Sequence, residues 1–113
     1  MDEPQLDPLI HQPTRFRVLL LLYRYRQGSA SWVKETLNLT DGNLWGHAKR
    51  LVEGGYVEQG RTLTGAGFSV VLRITPAGSD AFKAYLASWK SFLGEDASGE
   101  GPAEEFGAER SRV

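Results

Sequence analysis

The 113-residue chain contains no cysteine, which excludes disulfides, cysteine-zinc sites and thiol catalysis. It has no long apolar run. The longest, Val18 to Tyr23, is far too short to cross a bilayer, and the acidic opening Met1-Asp2-Glu3-Pro4 lacks the apolar stretch of a secretion signal. A cytoplasmic protein with no membrane partner is therefore expected. Nucleophile elbows, phosphate-binding loops and metalloprotease motifs are missing as well. Gly65-Ala66-Gly67 falls between two extended segments, not between a strand and a helix, so it is no dinucleotide fingerprint. Two histidines, His11 and His47, stand far apart in a chain without cysteine, so no metal site is expected. His47 reads as a half-buried packing residue. Serines and threonines sit mostly at helix starts and in loops, where capping accounts for them. Neither an enzyme nor a cofactor is implied.

The length leaves room for one domain, burying roughly 60–70% of its unfolded surface. The net charge of −1 conceals an asymmetry. Between Thr14 and Arg73 there are nine basic residues against four acidic, whereas from Glu95 to Val113 there are two against six. A mildly basic body with an acidic tail is compatible with a nucleic-acid partner without requiring one. Residues 1–13, with Pro4, Pro8 and Pro13, read as an arm holding at most a helical turn around Pro8 to His11. Residues 14–93 read as the domain. Residues 94–113, rich in glycine, serine, alanine and glutamate with Phe106 as their one aromatic, read as an acidic disordered tail.

Within the domain, a first helix is expected from Thr14 to Arg26, stopped by Gly28. Phe16, Leu19, Leu22 and Tyr23 fall on one face, and Val18, Leu20, Leu21 and Tyr25 on much of the other. A helix apolar on both sides is a buried one. Ser31 can cap a short second helix, Trp32 to Leu37. Thr40 can accept a backbone N–H of the next helix and Asp41 suits its positive end. Leu44, Ala48 and Leu51 point inward at helical spacing, and Gly54-Gly55 can end the helix. Strands are expected at Tyr56–Arg61 and Ser69–Ile74, joined by a hairpin loop from Thr62 to Phe68. Thr75-Pro76 marks the start of a last helix reaching Leu93.

The order helix, helix, capped helix, strand, loop, strand, long helix resembles a winged helix-turn-helix. Three groups of residues carry a closer likeness: the opening Asp7 to Arg17, the Thr40-Asp41-Gly42-Asn43-Leu44 start, and Gly55-Tyr56-Val57-Glu58 with Leu72-Arg73-Ile74-Thr75-Pro76-Ala77-Gly78. Over residues 6–93 they resemble small regulators related to the MarR and ArsR transcription factors. The fold this implies is mainly α (α+β), with a two-stranded wing and a long C-terminal dimerisation helix. The function it implies is a homodimeric transcription regulator with one recognition helix per subunit in the major groove of double-stranded DNA. Mapped onto this chain, the DNA-contacting positions are Thr40, Gly42, Asn43, Trp45, Gly46, Lys49 and Arg50, with the wing from Arg61 to Gly67; Arg73 near its base adds a second cation.

Residue chemistry agrees in part. Asn43 can bond bidentately to adenine, and Lys49 or Arg50 can reach guanine or phosphate. Thr40 can donate to phosphate at the helix start. Three features depart from the resemblance. Gly46 stands where related regulators usually carry serine or arginine, Trp45 flanks the reading face, and the wing has no basic residue between Thr62 and Phe68. These favour the alternative, a winged-helix protein-interaction module that has lost sequence-specific DNA binding.

The last helix carries Phe82, Tyr85, Leu86, Trp89, Phe92 and Leu93 in a band about 120° wide. This is more aromatic surface than a small domain needs, so a homodimer is expected, formed by this band together with Leu20 and Leu21 of the first helix. An unknown small-molecule effector at that aromatic interface, or a protein partner, is compatible with the same surfaces.

Overall fold

The first helix forms where glutamine and proline prepare it. In the computed structural model, which describes residues 6–95, helix α1 spans Pro13–Tyr25. Gln12 Oε1 accepts the Arg15 N–H at 2.7 Å, and Pro13 occupies the first turn, where its missing N–H costs nothing. The helix ends before the expected Gly28: Arg26 takes the corner at φ +76°, its N–H bonded to Leu22 O at 2.8 Å. The acidic tail lies outside the described residues beyond Glu95.

Residues 27–29 then form a strand that the sequence reading missed. Strand β1 (Gln27–Ser29) pairs antiparallel with a later strand through Gln27↔Arg73, Gly28↔Leu72 and Ser29↔Val71. Three residues carry no readable alternation, so only the partner strand reveals it. The chain leaves this strand at Ser29, and Ser29, not Ser31, caps helix α2 (Ala30–Leu37), accepting the Trp32 N–H at 3.0 Å. Helix α3 (Asp41–Glu53) starts at Thr40 as expected.

Strands β2 (Val57–Thr64) and β3 (Gly67–Ile74) run further than their sequence suggests, and the hairpin turn shrinks to Gly65-Ala66. The fold is thus α+β with four helices and a three-stranded antiparallel sheet, ordered β1-β3-β2, where two strands were expected. Helix α4 (Pro76–Glu95) completes it.

Helix α1 is the central element, contacting α2, α3, α4, β1 and β3. This explains a departure from the expected two-faced helix. Val18, grouped with Leu20, Leu21 and Tyr25 on the second face, is buried by the domain itself beside Leu19 and Leu22. Leu20 and Tyr25 stay exposed. The arm docks too: Ile10 is fully buried in the core with Leu44, Leu51, Val57, Leu72 and Phe82.

The elements are locked together at one corner. Tyr56 N–H donates to Leu51 O at 2.9 Å and Gly55 N–H to Val52 O at 3.0 Å, with Gly55 at φ +82°, the left-handed ending of a helix that favours glycine. Thr75 bonds this corner from the other side. Its N–H donates to Tyr56 O at 3.0 Å and its hydroxyl to Gly55 O at 2.6 Å, while the hydroxyl oxygen accepts the Gly78 N–H at 2.9 Å and so caps α4. Gly78 is pressed against the Tyr56 backbone, where any Cβ would overlap the Tyr56 carbonyl.

Two glycines of this chain should therefore respond oppositely. Gly78→Ala should destabilise by about 1–3 kcal/mol through steric overlap with backbone, lowering the melting temperature by roughly 4–8 °C per kcal/mol. Gly46→Ala, mid-helix with nothing within 4 Å of a built Cβ, should stabilise by about 0.5–1 kcal/mol. Thermal melts of the two variants check both signs.

Candidate nucleic-acid interface

Helix α3 separates its side chains cleanly. Leu44, Ala48 and Leu51 are buried, as the spacing requires, while Gly42, Asn43, Gly46, Lys49 and Arg50 are exposed. Thr40 Oγ1 accepts the Asn43 N–H at 3.1 Å, which leaves the hydroxyl proton uncommitted among the described residues. Trp45 is half-buried and packs against the core, so it is not displayed with the polar residues beside it. Gly42 and Gly46, four residues apart, lie on one face with open space above both.

Four of the nine basic residues between 14 and 73 are engaged in hydrogen bonds or ion pairs. Arg17 donates to Leu37 O at 2.8 Å, satisfying a carbonyl at the end of α2. Lys34 pairs with Asp41 at 3.0 Å, holding α2 to the start of α3 and offsetting a negative charge there. Arg15 donates to Leu9 O at 2.7 Å and reaches His47. Lys49 and Arg50 make no hydrogen bond or ion pair among the described residues, and both project from α3.

The wing divides its two arginines between opposite faces. Residues paired across β2 and β3 share a face, and the register Val57↔Ile74, Gln59↔Leu72, Arg61↔Val70, Leu63↔Phe68 sets Arg61 on the core-facing side. Its guanidinium lies 4.9 Å from the centre of the Phe68 ring, a cation–π contact. Arg73 sits on the other side and is occupied: its Nε donates to Gln27 Oε1 at 3.1 Å, and its Nη1 lies 3.4 Å from Glu58. The structure therefore gathers Thr40, Gly42, Asn43, Gly46, Lys49 and Arg50 on α3, with Arg61 on the wing, and holds Arg73 apart from them.

Of the residues expected to meet a second copy, two are corrected. Phe82 is fully buried and Tyr85 nearly so, because α1 supplies Phe16, whose ring lies 5.5 Å from Phe82 and 5.9 Å from Tyr85, and Tyr23, 5.1 Å from Phe82. They belong to the domain's own core. Leu20, Leu86 and Leu93 are exposed, at 46%, 38% and 58%, with Leu21, Trp89 and Phe92 half-buried. An apolar groove of about 450 Å³ lies between the start of α1 and α4, lined by Phe16, Leu86 and Trp89 among others. Among the described residues, no group of three potential ligands could hold a metal, and no helix is long and apolar enough to cross a membrane.

Comparison with known proteins gives this architecture a family. The model of the winged helix DNA-binding domain matches residues 14–93, and the chain belongs to that family. The uncharacterized protein MJ0432 of Methanocaldococcus jannaschii is 37% identical over 78 residues, covering 69% of this chain and 85% of that protein. The solved transcriptional regulator homologue protein from Pyrococcus horikoshii OT3 is similar with a TM-score of 0.72 and 26% identity, over 77% of this chain and 86% of that one. Overoxidized AbfR, solved bound to DNA, shares the fold with a TM-score of 0.64 at 22% identity, over 73% of this chain and 59% of that one. The resemblance to small winged helix-turn-helix regulators holds.

One titratable group adjoins the α3 face. A guanidinium can only donate, so Arg15 Nη1, 3.3 Å from His47 Nδ1, makes that nitrogen the acceptor and leaves the neutral ring's proton on Nε2. Burial, and then the charges of Arg15 and Arg50, hold the His47 pKa below its ordinary 6.5. The unfolded imidazole takes up a proton first as pH falls. Its neutral, folded form therefore carries no penalty above about pH 6.5, and stability is lost as pH drops below that value. Melting temperatures between pH 7.5 and 5 should fall less steeply for His47→Gln than for the parent chain; parallel curves would show that His47 is not responsible.

Proposed function

We propose that this winged helix domain is a transcription regulator that acts as a homodimer and lays α3 in the major groove of double-stranded DNA. The observation that carries the reading is the outward face of α3. The side chains of Asn43, Lys49 and Arg50 are exposed there without hydrogen-bond or ion-pair partners among the described residues, and Gly42 and Gly46 leave open space between them. Glycine in an exposed helix interior is a stability cost relative to alanine. What it permits is close approach of the helix backbone to a partner. Asn43 supplies a donor–acceptor pair suited to adenine, and Lys49 and Arg50 supply cations for guanine edges or phosphates. Thr40, at the helix start, retains a hydroxyl proton for a phosphate oxygen.

The relatives support the same reading. The Pyrococcus horikoshii protein carries the description of a transcriptional regulator homologue, and AbfR was solved on DNA. The interaction-module alternative loses one of its supports, because Trp45 packs against the core instead of standing out for a partner. A homodimer is favoured by Leu86 and Leu93, which leave an apolar strip on α4 that the domain does not cover. Two copies would present two recognition helices to half-sites about one helical turn apart.

DNA binding is tested by fluorescence anisotropy on a labelled duplex from immediately upstream of the gene for this chain. Asn43→Ala should lose discrimination at one base pair, worth ~1–3 kcal/mol. Lys49→Ala should weaken binding to all sequences and flatten the salt dependence by about 0.9 in log–log slope per lost phosphate contact. Gly46→Arg should weaken binding, because its side chain fills the space that lets the α3 backbone approach the partner. If none of these substitutions alters binding, α3 is not the reading element.

Assembly is tested by sedimentation. At micromolar concentration the parent chain should run at twice its 12.5 kDa mass. Leu86→Glu with Leu93→Glu should run as a monomer, because each places a charge in a desolvated contact. A monomeric parent chain would refute the dimer.

A further inference from the structure

His47 of α3 has one bonded ring nitrogen and one that makes no hydrogen bond among the described residues. Nδ1, 3.3 Å from Arg15 Nη1, accepts from it, so the neutral ring carries its proton on Nε2. No buried side-chain nitrogen lacks a partner among the described residues, so Nε2–H, having none, is a donor at the surface. At about 100° per residue, Asn43, His47 and Arg50 follow one another along a single stripe of the helix. Trp45 lies on the opposite flank, where it meets Phe68 and Val70 of the wing across a shallow cleft. His47 and Arg15 thus border the outward face of α3 on the side away from the wing.

The charges packed against this ring are positive. Arg15 comes from α1 and Arg50 from the next turn of α3, and after burial these two charges hold the ring neutral in the free protein. Neither arginine has a carboxylate within ion-pair distance among the described residues, where the ion pairs join Lys34 to Asp41 and Arg73 to Glu58. Asp7, on the arm that Arg15 holds, is committed to the Tyr56 hydroxyl and the Leu9 N–H. A cationic cluster that the protein leaves without a counter-charge is matched by an anion from outside.

We propose that His47, set by Arg15, binds a DNA phosphate at this rim of the major groove, and that DNA binding takes up a proton there. The inference rests on the DNA-binding reading of α3 and gives it a further contact and a pH dependence. Arg15 is the positioning residue in the free protein, because its bond to Nδ1 fixes the tautomer that keeps Nε2–H as the outer donor. A phosphate oxygen accepts from Nε2, and its negative charge favours the imidazolium. The proton enters at Nδ1, on the lone pair that had accepted from Arg15. Arg15 Nη1 then turns from a nitrogen that has become a donor, while Arg15 Nε keeps its 2.7 Å bond to Leu9 O. The guanidinium therefore stays at the rim, with Nη1 released toward the same phosphate. Folding and binding respond to acid with opposite signs. The free protein favours the neutral ring, so acid costs stability; the complex favours the charged ring, so acid tightens binding.

The test is fluorescence anisotropy of the full chain on the labelled upstream duplex at pH 7.5, 6.5 and 5.5, with circular dichroism melts verifying a folded chain at each. Uptake of one proton changes affinity by at most about tenfold per pH unit, so the parent chain should bind about three- to tenfold more tightly at pH 5.5 than at pH 7.5. Its log–log salt slope should steepen by up to about 0.9 as the added cation meets a phosphate. His47→Gln keeps a donor at that position without titrating, so its affinity and slope should be the same at all three pH values. His11→Gln, which alters the other histidine of the chain, should keep the parent's response. In NMR spectra the His47 ring should titrate below 6.5 in the free protein and at higher pH on the duplex. Parent affinity that is flat or falls toward pH 5.5, a His47→Gln chain that keeps the pH response, or a ring titration that DNA does not move overturns the phosphate role of His47 and leaves α3 as the reader. Absence of any duplex binding by the parent chain at every pH overturns the α3 reading and the phosphate contact with it.

Discussion

The structure depends on the corner Gly55-Tyr56. Every polar group of Tyr56 is used there: its N–H closes α3 on Leu51 O, its carbonyl accepts from Thr75, and its hydroxyl donates to Asp7 Oδ2. The hydrogen bond to Asp7, then burial and the carboxylate's charge, push the hydroxyl up to about 12, so it remains a donor at any ordinary pH. Three segments remote in sequence, the arm at Asp7, the α3–β2 corner and the start of α4 at Thr75, thus meet at one residue. The end of α3, the start of β2 and the first turn of α4 take their mutual angles from this contact, and the arm is tied on through Asp7. Asp7 in turn holds its own turn together, accepting the Leu9 N–H at 2.9 Å on its side chain and the His11 N–H at 2.7 Å on its carbonyl. That turn directs Ile10 into the core.

Because the corner fixes α3 against the sheet, the electrostatics of the α3 face follow from packing. Arginines that fall near backbone carbonyls become structural. Arg17 ends α2, and Arg15 spans from the arm to His47 on α3. The salt bridges that remain are surface pairs, each worth about 0–1 kcal/mol, so their importance is positional. Lys34 holds Asp41 where its charge suits the helix dipole, and Glu58 keeps Arg73 at the base of the sheet. Lys49 and Arg50 are the two cations that the fold leaves exposed on α3. A count of nine basic against four acidic residues between 14 and 73 thus overstates the cationic surface available to DNA. The position of Lys49 and Arg50 on one exposed helix says more than the sum.

Local chemistry was legible wherever an element carries its own signal. The Thr40 cap, the inward trio Leu44, Ala48 and Leu51, the stop at Gly54-Gly55 and the start at Thr75-Pro76 all stand as the sequence indicates. The errors fall where the signal lies in a partner. β1 is three residues long and exists only through its ladder to β3, and that ladder moves the cap of α2 from Ser31 to Ser29. The wing strands extend to Thr64 and back from Gly67 because pairing continues through residues whose composition reads as loop.

The division has a physical reason. Helix caps, glycine endings and hydrophobic period are interactions within about one turn of the chain, so the sequence by itself determined the order of the four helices and the two wing strands, the inward face of α3 and the winged-helix identity. Exposure and pairing are decided by segments far apart. Phe82 and Tyr85 were grouped with a partner-facing band by their period, yet Phe16 and Tyr23 of α1 cover them, and only Leu86, Leu93 and parts of Trp89 and Phe92 remain outward. Arg73 and Arg61 look equivalent in sequence, but strand register sends them to opposite faces and gives one of them to Glu58. The same register brings Leu63 and Phe68 together at the tip of the wing. No local rule specifies such a meeting, since it exists only once two strands are paired residue by residue.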